Sequence, residues 1–208
     1  MKANKLKITI SLFILFLFAG NLAINAQPKY GWDHDKILNI IGLKEGMKVG
    51  EAGAGDGYLT FYLSRRVGEA GKIYANDINS WGLRKIEKRF KDEEITNIET
   101  VVGEVDDPLF PDKELDMVVM VHAFHDFSQP VKWLKNTKAY LKPGANLVII
   151  DRDSERCKIS YDKSHFMNEK EITNLLKEGG FDIIKIDRHL EQDNIYIART
   201  PENKIKSD

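Results

Sequence analysis

The sequence predicts an α/β fold in which helices cover both faces of a seven-stranded, mostly parallel sheet, the doubly wound arrangement. Two observations carry this prediction: short apolar runs alternate with amphipathic stretches from Gln27 onward, and the first of these runs ends in a glycine-dense turn. In addition, the last two apolar runs lie too close together for a crossover helix, so they should form a C-terminal antiparallel hairpin. The predicted strands are residues 47–51, 71–76, 98–102, 115–121, 145–151, 182–187 and 194–199.

Four helices are predicted between these strands, because apolar residues recur there at helical spacing. Asn168 and Glu171 have the spacing of a capping box, which predicts the start of the last helix. The first two predicted helices run from Asp56 to Val67 and from Asn79 to Lys91. The third contains Val131 and Leu141 and stops at Lys142-Pro-Gly144, and the fourth runs from Asn168 to a stop at Gly179-Gly180.

The composition excludes several kinds of site. A chain of 208 residues with 42% hydrophobic content is enough for one globular domain. Lys and Arg (31) nearly balance Asp and Glu (32), so the chain has no overall field that would attract nucleic acid, and no nucleic-acid partner is predicted. Cys157 is the one cysteine, which excludes an intramolecular disulfide and an all-cysteine metal site.

The first 26 residues differ from the rest of the chain. They hold three lysines, no acid and an apolar run from Ile8 to Ala19, and a small residue, Ala26, ends them. This pattern predicts a signal peptide over 1–26, hence an exported, periplasmic protein without stable membrane insertion after cleavage. An uncleaved membrane anchor is the alternative, although the run is short for a spanning helix. The remaining chain divides into a domain over 27–200 and a flexible tail over 201–208.

The glycine turn is the most informative part of the sequence. It reads Glu51-Ala-Gly53-Ala54-Gly55-Asp-Gly57, between a strand and a helix. Glycines let the backbone approach a ligand closely, and the N–H groups at a helix start attract anionic groups. The dinucleotide fingerprint needs a third glycine three residues after the second, where this chain has Tyr58, so a nicotinamide-dependent oxidoreductase is disfavoured.

The E-x-G-x-G-x-G stretch resembles motif I of the class I S-adenosylmethionine (SAM) dependent methyltransferases, which have a Rossmann-like sheet. Four further segments resemble this family in order, namely 71–78, 103–108, 115–122 and 141–151, so that the likeness covers roughly residues 33–180. The resemblance implies SAM as the cofactor. It assigns Asp77 to the two ribose hydroxyls, because a carboxylate can accept two hydrogen bonds. The implied cofactor-binding residues are Glu51, Gly53, Ala54, Gly55, Asp77, Ile78, Glu104, Val105 and Val121, with Asp106 as an alternative in the third segment.

The methyl acceptor is expected beyond the strand at 115–121. His122 follows that strand directly and should face the methionine end of SAM, and His125 is a candidate base, with Asp126 next to it. Both histidines are the candidate catalytic residues, with a packing role as the alternative for His125. The sequence predicts no metal site, because the Asp151/Asp153 pair does not match the pattern of metal-assisted catechol enzymes.

Two hypotheses for the function follow. The first is SAM-dependent methyl transfer to a small-molecule acceptor, by in-line displacement at the sulfonium methyl. The alternative is an exported, non-catalytic methyltransferase-like module that binds an adenosine-containing or other small ligand. The predicted signal peptide motivates the alternative, since an exported enzyme would need a supply of a cofactor made in the cytoplasm.

Overall fold

The computed structural model describes residues 31–158 and 165–200. The predicted signal peptide over 1–26 and the predicted tail over 201–208 lie outside the described residues. In the described part, seven strands form one sheet. The strands are β1 Lys48–Ala52, β2 Lys72–Asp77, β3 Ile98–Val102, β4 Leu115–Val121, β5 Leu141–Arg152, β6 Asp182–Asp187 and β7 Asp193–Arg199. The helices are α1 His34–Ile40, α2 Thr60–Val67, α3 Ser80–Asp92, α4 Pro130–Thr137 and α5 Glu169–Glu178, with 3₁₀ turns at Phe124–Asp126 and Lys138–Tyr140.

The strand order is β3-β2-β1-β4-β5-β7-β6. The pairs from β3 to β5 are parallel, whereas β7 pairs antiparallel with both β5 and β6. This confirms the predicted fold class, including the C-terminal hairpin. The order reverses between β1 and β4, and ligands of such sheets bind in the crevice at the carboxyl ends of the strands flanking this point.

The central strands are buried on both faces. In β4, Val118, Val119 and Met120 are each fully buried, although successive side chains of a strand point to opposite faces. One face packs against α4 and α5 through a core that includes Trp133, Leu134, Ile172 and Leu176. Helices α2 and α3 contact β2, and α3 also contacts β3. None of the helices within the described residues has the length and apolar character needed to cross a bilayer.

Several elements depart from the predictions. Helix α4 ends at Thr137 and does not reach Leu141, because a 3₁₀ turn follows it and Leu141 belongs to β5. Helix α2 begins at Thr60 rather than Asp56, because Gly55 and Gly57 have φ values of 57° and 90°, which a right-handed helix cannot contain. Strand β5 begins at Leu141 rather than at residue 145, since Leu141 pairs with Leu115 of β4 across a register shift. Helix α1 was not predicted; Asp33 caps it by accepting a hydrogen bond from the Lys36 backbone N–H at 3.0 Å.

Candidate active site

A cleft of about 300 Å³ opens at the carboxyl ends of β1, β2 and β4, where the strand order reverses. This volume is at the lower end of the range for small-molecule sites. It is lined by Gly53, Asn76, Asp77, Ile78, Glu104, Val105, His122, Ala123, Asp126, Phe127, Ser128 and Trp133. Six of the predicted site residues are among these. The other five, Glu51, Ala54, Gly55, Val121 and His125, are not lining residues of this cleft.

The glycine turn forms one wall of the cleft. Gly53 has a φ of 69°, and a Cβ at this position would lie 2.4 Å from the Cβ of Ala123, so the turn is pressed against the segment that follows β4. A Cβ at Gly55 would meet nothing within 4 Å, which leaves open space beside the turn. The backbone N–H of Ala54 donates to the carbonyl of Asn76 at 2.9 Å and ties the turn to β2.

Helix α3 approaches the same turn through Gly82, which is not among the predicted site residues. A Cβ at Gly82 would lie 2.2 Å from the carbonyl oxygen of Gly55. A glycine inside a helix is costly by itself, so its presence there indicates close backbone packing. That cue was available in the sequence, but the sequence does not identify which backbone segment lies opposite.

Replacing Gly82 with alanine is therefore expected to lower the free energy of unfolding by about 1–3 kcal/mol, the usual cost of overpacking. The atom that the new methyl group would strike belongs to the backbone, so a side-chain rotation cannot relieve the contact. Urea unfolding measures the effect, and Arg84→Ala, which truncates an exposed side chain on the same helix, is the control. A Gly82→Ala protein as stable as the parent would contradict the packing described here.

Asp77 is held in a fixed orientation at the end of β2. Its Oδ2 accepts the backbone N–H of Gly55 at 2.9 Å, and its Oδ1 accepts the backbone N–H of Asn79 at 2.8 Å. Each carboxylate oxygen keeps a second lone pair, so the group can still accept two hydrogen bonds from a ligand. Ile78 is 61% exposed on the cleft wall beside it, which is unusual for a large apolar side chain in this protein.

Glu51 is buried beneath the turn. Its Oε2 accepts a hydrogen bond from the Thr60 hydroxyl at 2.5 Å. Burial raises the pKa of the Glu51 carboxyl to about 8; the hydrogen bond from Thr60 opposes this shift, and the negative charge of Asp77 adds to it. Glu51 is therefore largely protonated at neutral pH in the ligand-free protein.

The loop after β3 supplies the far wall. Glu104 and Val105 line the cleft, whereas Asp106 forms an ion pair with Lys132. The amide of Asn76 braces this loop by donating to the carbonyl of Pro108 at 2.6 Å. Asn76 is not among the predicted site residues, although an asparagine at the end of an apolar strand must find hydrogen-bond partners when it is buried.

His122 is held on the opposite side of the cleft. It has a φ of 49°, in the left-handed region, and its backbone N–H donates to the carbonyl of Ile150 at 2.9 Å. Its Nε2 donates to Asp193 Oδ1 at 2.7 Å, and Trp32 packs edge-on against the ring with centroids 5.3 Å apart. Val121, the preceding residue, pairs with Ile150 in the sheet. The ring of His122 is thus fixed by β7 and by the segment before α1.

His125 is paired with Asp151, not only with its neighbour Asp126. Its Nδ1 donates to Asp151 Oδ1 at 2.7 Å, and its backbone N–H donates to Asp151 Oδ2 at 3.1 Å. Burial lowers the pKa of His125, but the hydrogen bond and the charge of Asp151 outweigh it and raise this pKa above 6.5. The pairing fixes the tautomer, so that the second ring nitrogen, Nε2, is the one available for chemistry.

Comparison with known proteins identifies the family. The sequence profile of the ubiE/COQ5 methyltransferase family matches residues 21–178. The ubiquinone/menaquinone biosynthesis C-methyltransferase UbiE of Cronobacter sakazakii is 31% identical over 115 residues, which are 55% of this chain and 46% of that protein. UbiE of Laribacter hongkongensis is 29% identical over 120 residues, 58% of this chain and 48% of that protein. The matched region thus spans about half the length of these curated relatives.

Solved structures agree with the profile. A SAM-dependent methyltransferase from Aquifex aeolicus is 30% identical, with a TM-score of 0.76 over 80% of this chain and 89% of that one. The PH0226 protein from Pyrococcus horikoshii, at 18% identity and a TM-score of 0.66 over 80% of this chain and 87% of that one, shares the fold. The comparisons give no support to a non-catalytic module. The chain therefore belongs to the ubiE/COQ5 methyltransferase family and is a methyltransferase that uses S-adenosylmethionine as its cofactor.

Proposed function

We propose that this protein transfers the methyl group of SAM to a carbon atom of a small, hydroxylated aromatic acceptor. The relatives named C-methyltransferases of ubiquinone/menaquinone biosynthesis support carbon as the acceptor atom and a quinone precursor as the acceptor class. One observation carries the proposal: a single cleft has the glycine turn, Asp77 and Glu104 along one side and the segment from His122 to Ser128 along the other. The cofactor and the acceptor can therefore bind against different sides of the same cleft, next to each other.

We place the adenosine of SAM against the first of these sides. Asp77 binds the ribose hydroxyls, and Ile78 and Val105, both exposed in the ligand-free cleft, flank the adenine, whose edge is read by Glu104 and the Val105 backbone. Apolar surfaces left exposed inside a cleft are covered when a flat ring binds between them. The turn at 53–55 lets the backbone approach the ligand closely.

The methionine end of SAM then points to the carboxyl ends of β1 and β4. Glu51 lies beneath the turn at the end of β1, and Val121 and His122 lie at the end of β4. The ligand carries a positive sulfonium and a positive ammonium, and a nearby carboxylate stabilises both. We assign His122 to positioning, since Asp193 and Trp32 already fix its ring.

The reaction is an in-line displacement. An electron pair of the acceptor carbon forms the new C–C bond to the methyl group, the C–S bond breaks, and its electron pair stays on sulfur as a neutral thioether. The acceptor loses one proton overall. A hydroxyl conjugated with the ring makes the carbon nucleophilic when it is deprotonated. His125 lies on the acceptor side with Nδ1 committed to Asp151, which leaves Nε2 to act on this hydroxyl, directly or through a bound ion.

Replacing Asp77 with alanine is expected to weaken SAM binding by about 1–3 kcal/mol, the scale for losing charge-assisted hydrogen bonds. Asp77→Asn keeps one acceptor oxygen and should lose less. Calorimetry with SAM and S-adenosylhomocysteine measures both, and Asp92→Ala, an exposed acid at the other end of α3, is the control. Equal affinity for SAM in the parent and in Asp77→Ala would show that Asp77 does not bind the cofactor.

The acceptor class is tested by turnover. Purified protein is incubated with methyl-labelled SAM and either a naphthoquinol or a benzoquinol, and the product is analysed for C–CH₃ against O–CH₃ bonds. We expect label on a ring carbon. Label found on oxygen, or SAM binding without transfer to either quinol, would contradict a carbon of this acceptor class.

We also propose that residues 1–26 direct export, with the mature chain starting at Gln27. The three lysines, the apolar run and the small residue at 26 support this. N-terminal sequencing of protein from fractionated cells tests it: a chain starting at Gln27 outside the cytoplasm is expected, and a chain that keeps Met1 in the cytoplasmic fraction would overturn it.

A further inference from the structure

Three side chains beside the cleft bring nitrogen and oxygen donors together. His125, Asp126 and His165 each offer one ligand atom, and these atoms all lie within 4.8 Å of one another. The carboxylate of Asp126 is central: one oxygen lies 3.6 Å from His125 Nε2 and the other lies 3.6 Å from His165 Nε2. In a tetrahedral zinc site with bonds of about 2.0–2.1 Å, ligand atoms lie about 3.3 Å apart. The ligand atoms, which lie up to 4.8 Å apart without an ion, must therefore move closer together on binding, and Asp126 and His165 are both exposed and can do so.

The first of these ligands is already oriented for metal binding. Asp151 is fully buried and accepts the Nδ1 hydrogen of His125, so the lone pair of His125 lies on Nε2, on the same side as Asp126 and His165. Metal-binding histidines usually donate their other ring N–H to a carboxylate in this way, which fixes the tautomer and makes the ligand more basic. The backbone N–H of His125 also donates to Asp151, so the ring is held from two points.

The cluster adjoins the side of the cleft formed by residues 122–128, where we propose that the acceptor binds. Asp126 itself lines the cleft, between Ala123 and Phe127, and it is exposed there. His165 lies next to Phe166, whose ring packs at 5.0 Å from both histidines. Three protein ligands leave at least one coordination position for water or a substrate oxygen, as in catalytic zinc sites.

We propose that His125, Asp126 and His165 bind one divalent transition-metal ion of the Zn²⁺ type. Two imidazoles and one carboxylate suit Zn²⁺, Co²⁺ or Fe²⁺, whereas Mg²⁺ and Ca²⁺ prefer oxygen ligands throughout. The metal site rests only on the geometry above, whereas its role in catalysis rests on the proposed function. In that role the acceptor hydroxyl binds the open coordination position, the pKa of the hydroxyl falls, and the hydroxyl proton passes to solvent. The resulting oxyanion supplies electron density to the ring carbon that takes the methyl group.

The sequence does not reveal this cluster. His125 and Asp126 are adjacent, but His165 lies 40 residues further on, beyond β5, and no ligand spacing typical of a metal motif joins them. The fold brings His165 to His125, with ring centroids 4.8 Å apart.

Cobalt is the probe that tests the proposal, because Co²⁺ in a site with two nitrogen ligands has a visible absorption that does not depend on activity. The full-length protein, without an affinity tag, is freed of metal with a chelator and titrated with Co²⁺, then with Zn²⁺ in competition. We expect one equivalent of Co²⁺ to bind and to be displaced by Zn²⁺. His165→Asn and Asp126→Asn should each weaken Co²⁺ binding by about tenfold or more, and Asp151→Asn by about 10–100-fold.

The matched control is His189→Asn, since His189 also contacts a carboxylate, that of Asp187, but lies outside the cluster. It should leave Co²⁺ binding unchanged. No Co²⁺ binding, or binding that survives both His165→Asn and Asp126→Asn, would overturn the proposal. SAM binding measured on the same preparations separates the two proposals. A protein that binds SAM but not Co²⁺ would contradict only the metal site. A protein that binds Co²⁺ but transfers no methyl group would contradict only the proposed function.

Discussion

Replacing Glu51 with glutamine is expected to stabilise the ligand-free protein at pH 8 and, at the same time, to weaken its binding of SAM. Burial holds the pKa of Glu51 at about 8 in the folded protein, against an ordinary value of 4.5. Between these two values the unfolded chain has lost this proton while the folded protein keeps it. The free energy of unfolding therefore falls as the pH rises through this window.

Glu51→Gln has no ionisable carboxyl at this position, so its free energy of unfolding does not fall with pH for this reason. Its amide oxygen can still accept the hydrogen bond from Thr60, so the main contact of the side chain is kept. At pH 5 the two proteins should differ little, and at pH 8 the variant should be more stable by on the order of 3 kcal/mol. Urea unfolding at both pH values measures this. A stability difference of the same size at pH 5 and at pH 8 would contradict a raised pKa for Glu51.

Cofactor binding should respond in the opposite direction. SAM brings positive charge to the end of β1, which favours the ionised form of Glu51, so the parent protein is expected to release a proton when SAM binds. Calorimetry in two buffers of different ionisation enthalpy counts that proton. The amino group of SAM titrates in the same range, and only the difference between the parent and Glu51→Gln isolates the carboxyl.

We expect Glu51→Gln to bind SAM about tenfold more weakly at pH 8 and to release fewer protons than the parent. Glu114→Gln is the control, because this exposed acid precedes β4 and so lies at the opposite edge of the sheet from the carboxyl ends of the strands. Unchanged affinity in Glu51→Gln would place Glu51 outside the cofactor site, whatever its effect on stability.

The features that the sequence predicts well are those encoded within a few residues. The capping box of Asn168 and Glu171 is present with both of its hydrogen bonds, at 3.0 and 2.7 Å. The glycine turn is equally local, because Gly53, Gly55 and Gly57 all need positive φ values that other residues rarely adopt. The C-terminal hairpin follows from the short connection between its strands.

What the sequence does not predict depends on which segments become neighbours in space. His125 and Asp151 are 26 residues apart, and His122 and Asp193 are 71 apart, so their pairing exists only after β4, β5 and β7 are placed side by side. The same is true of Gly82 and the turn. Strand β5 shows a local signal overridden by a long-range one. Lys142-Pro-Gly144 predicts the end of a helix, but Leu141 pairs with Leu115 of β4, so these residues lie in the strand.

Replacing Asp151 with asparagine is expected to lower kcat for methyl transfer by about 100-fold or more, the usual contribution of proton transfer to a reaction. Asp151 Oδ1 accepts the Nδ1 hydrogen of His125 and the backbone N–H of Arg152, and Oδ2 accepts the backbone N–H of His125. When an asparagine presents its NH₂ group to Nδ1, the imidazole carries its proton on Nε2, and the backbone N–H of Arg152 loses its acceptor at the same time. The one ring atom that faces the acceptor side loses its lone pair, although the histidine itself is unchanged.

Loss of structure would also lower kcat, so the experiment needs a residue with the same burial but without the contact. Asp153 meets this requirement: it is 5% exposed, lies two residues further along the chain, and accepts hydrogen bonds from Asn194 at 2.8 Å and from the backbone of Glu155 at 2.9 Å. Asp153→Asn should cost stability and leave kcat close to that of the parent. Asp151→Asn should keep its affinity for SAM, because the side-chain hydrogen-bond partners of Asp151 are His125 and Arg152, and neither is assigned to cofactor binding.

These measurements separate a positioning role from a structural one. If Asp151 acts through His125, His125→Ala and the double variant His125→Ala/Asp151→Asn should have the same kcat, since the second change has no imidazole left to orient. If the two losses multiply instead, Asp151 supports activity by a route independent of His125. A fall in SAM affinity that accounts for the whole loss of turnover would likewise show that the buried carboxylate maintains the cleft rather than the tautomer of His125.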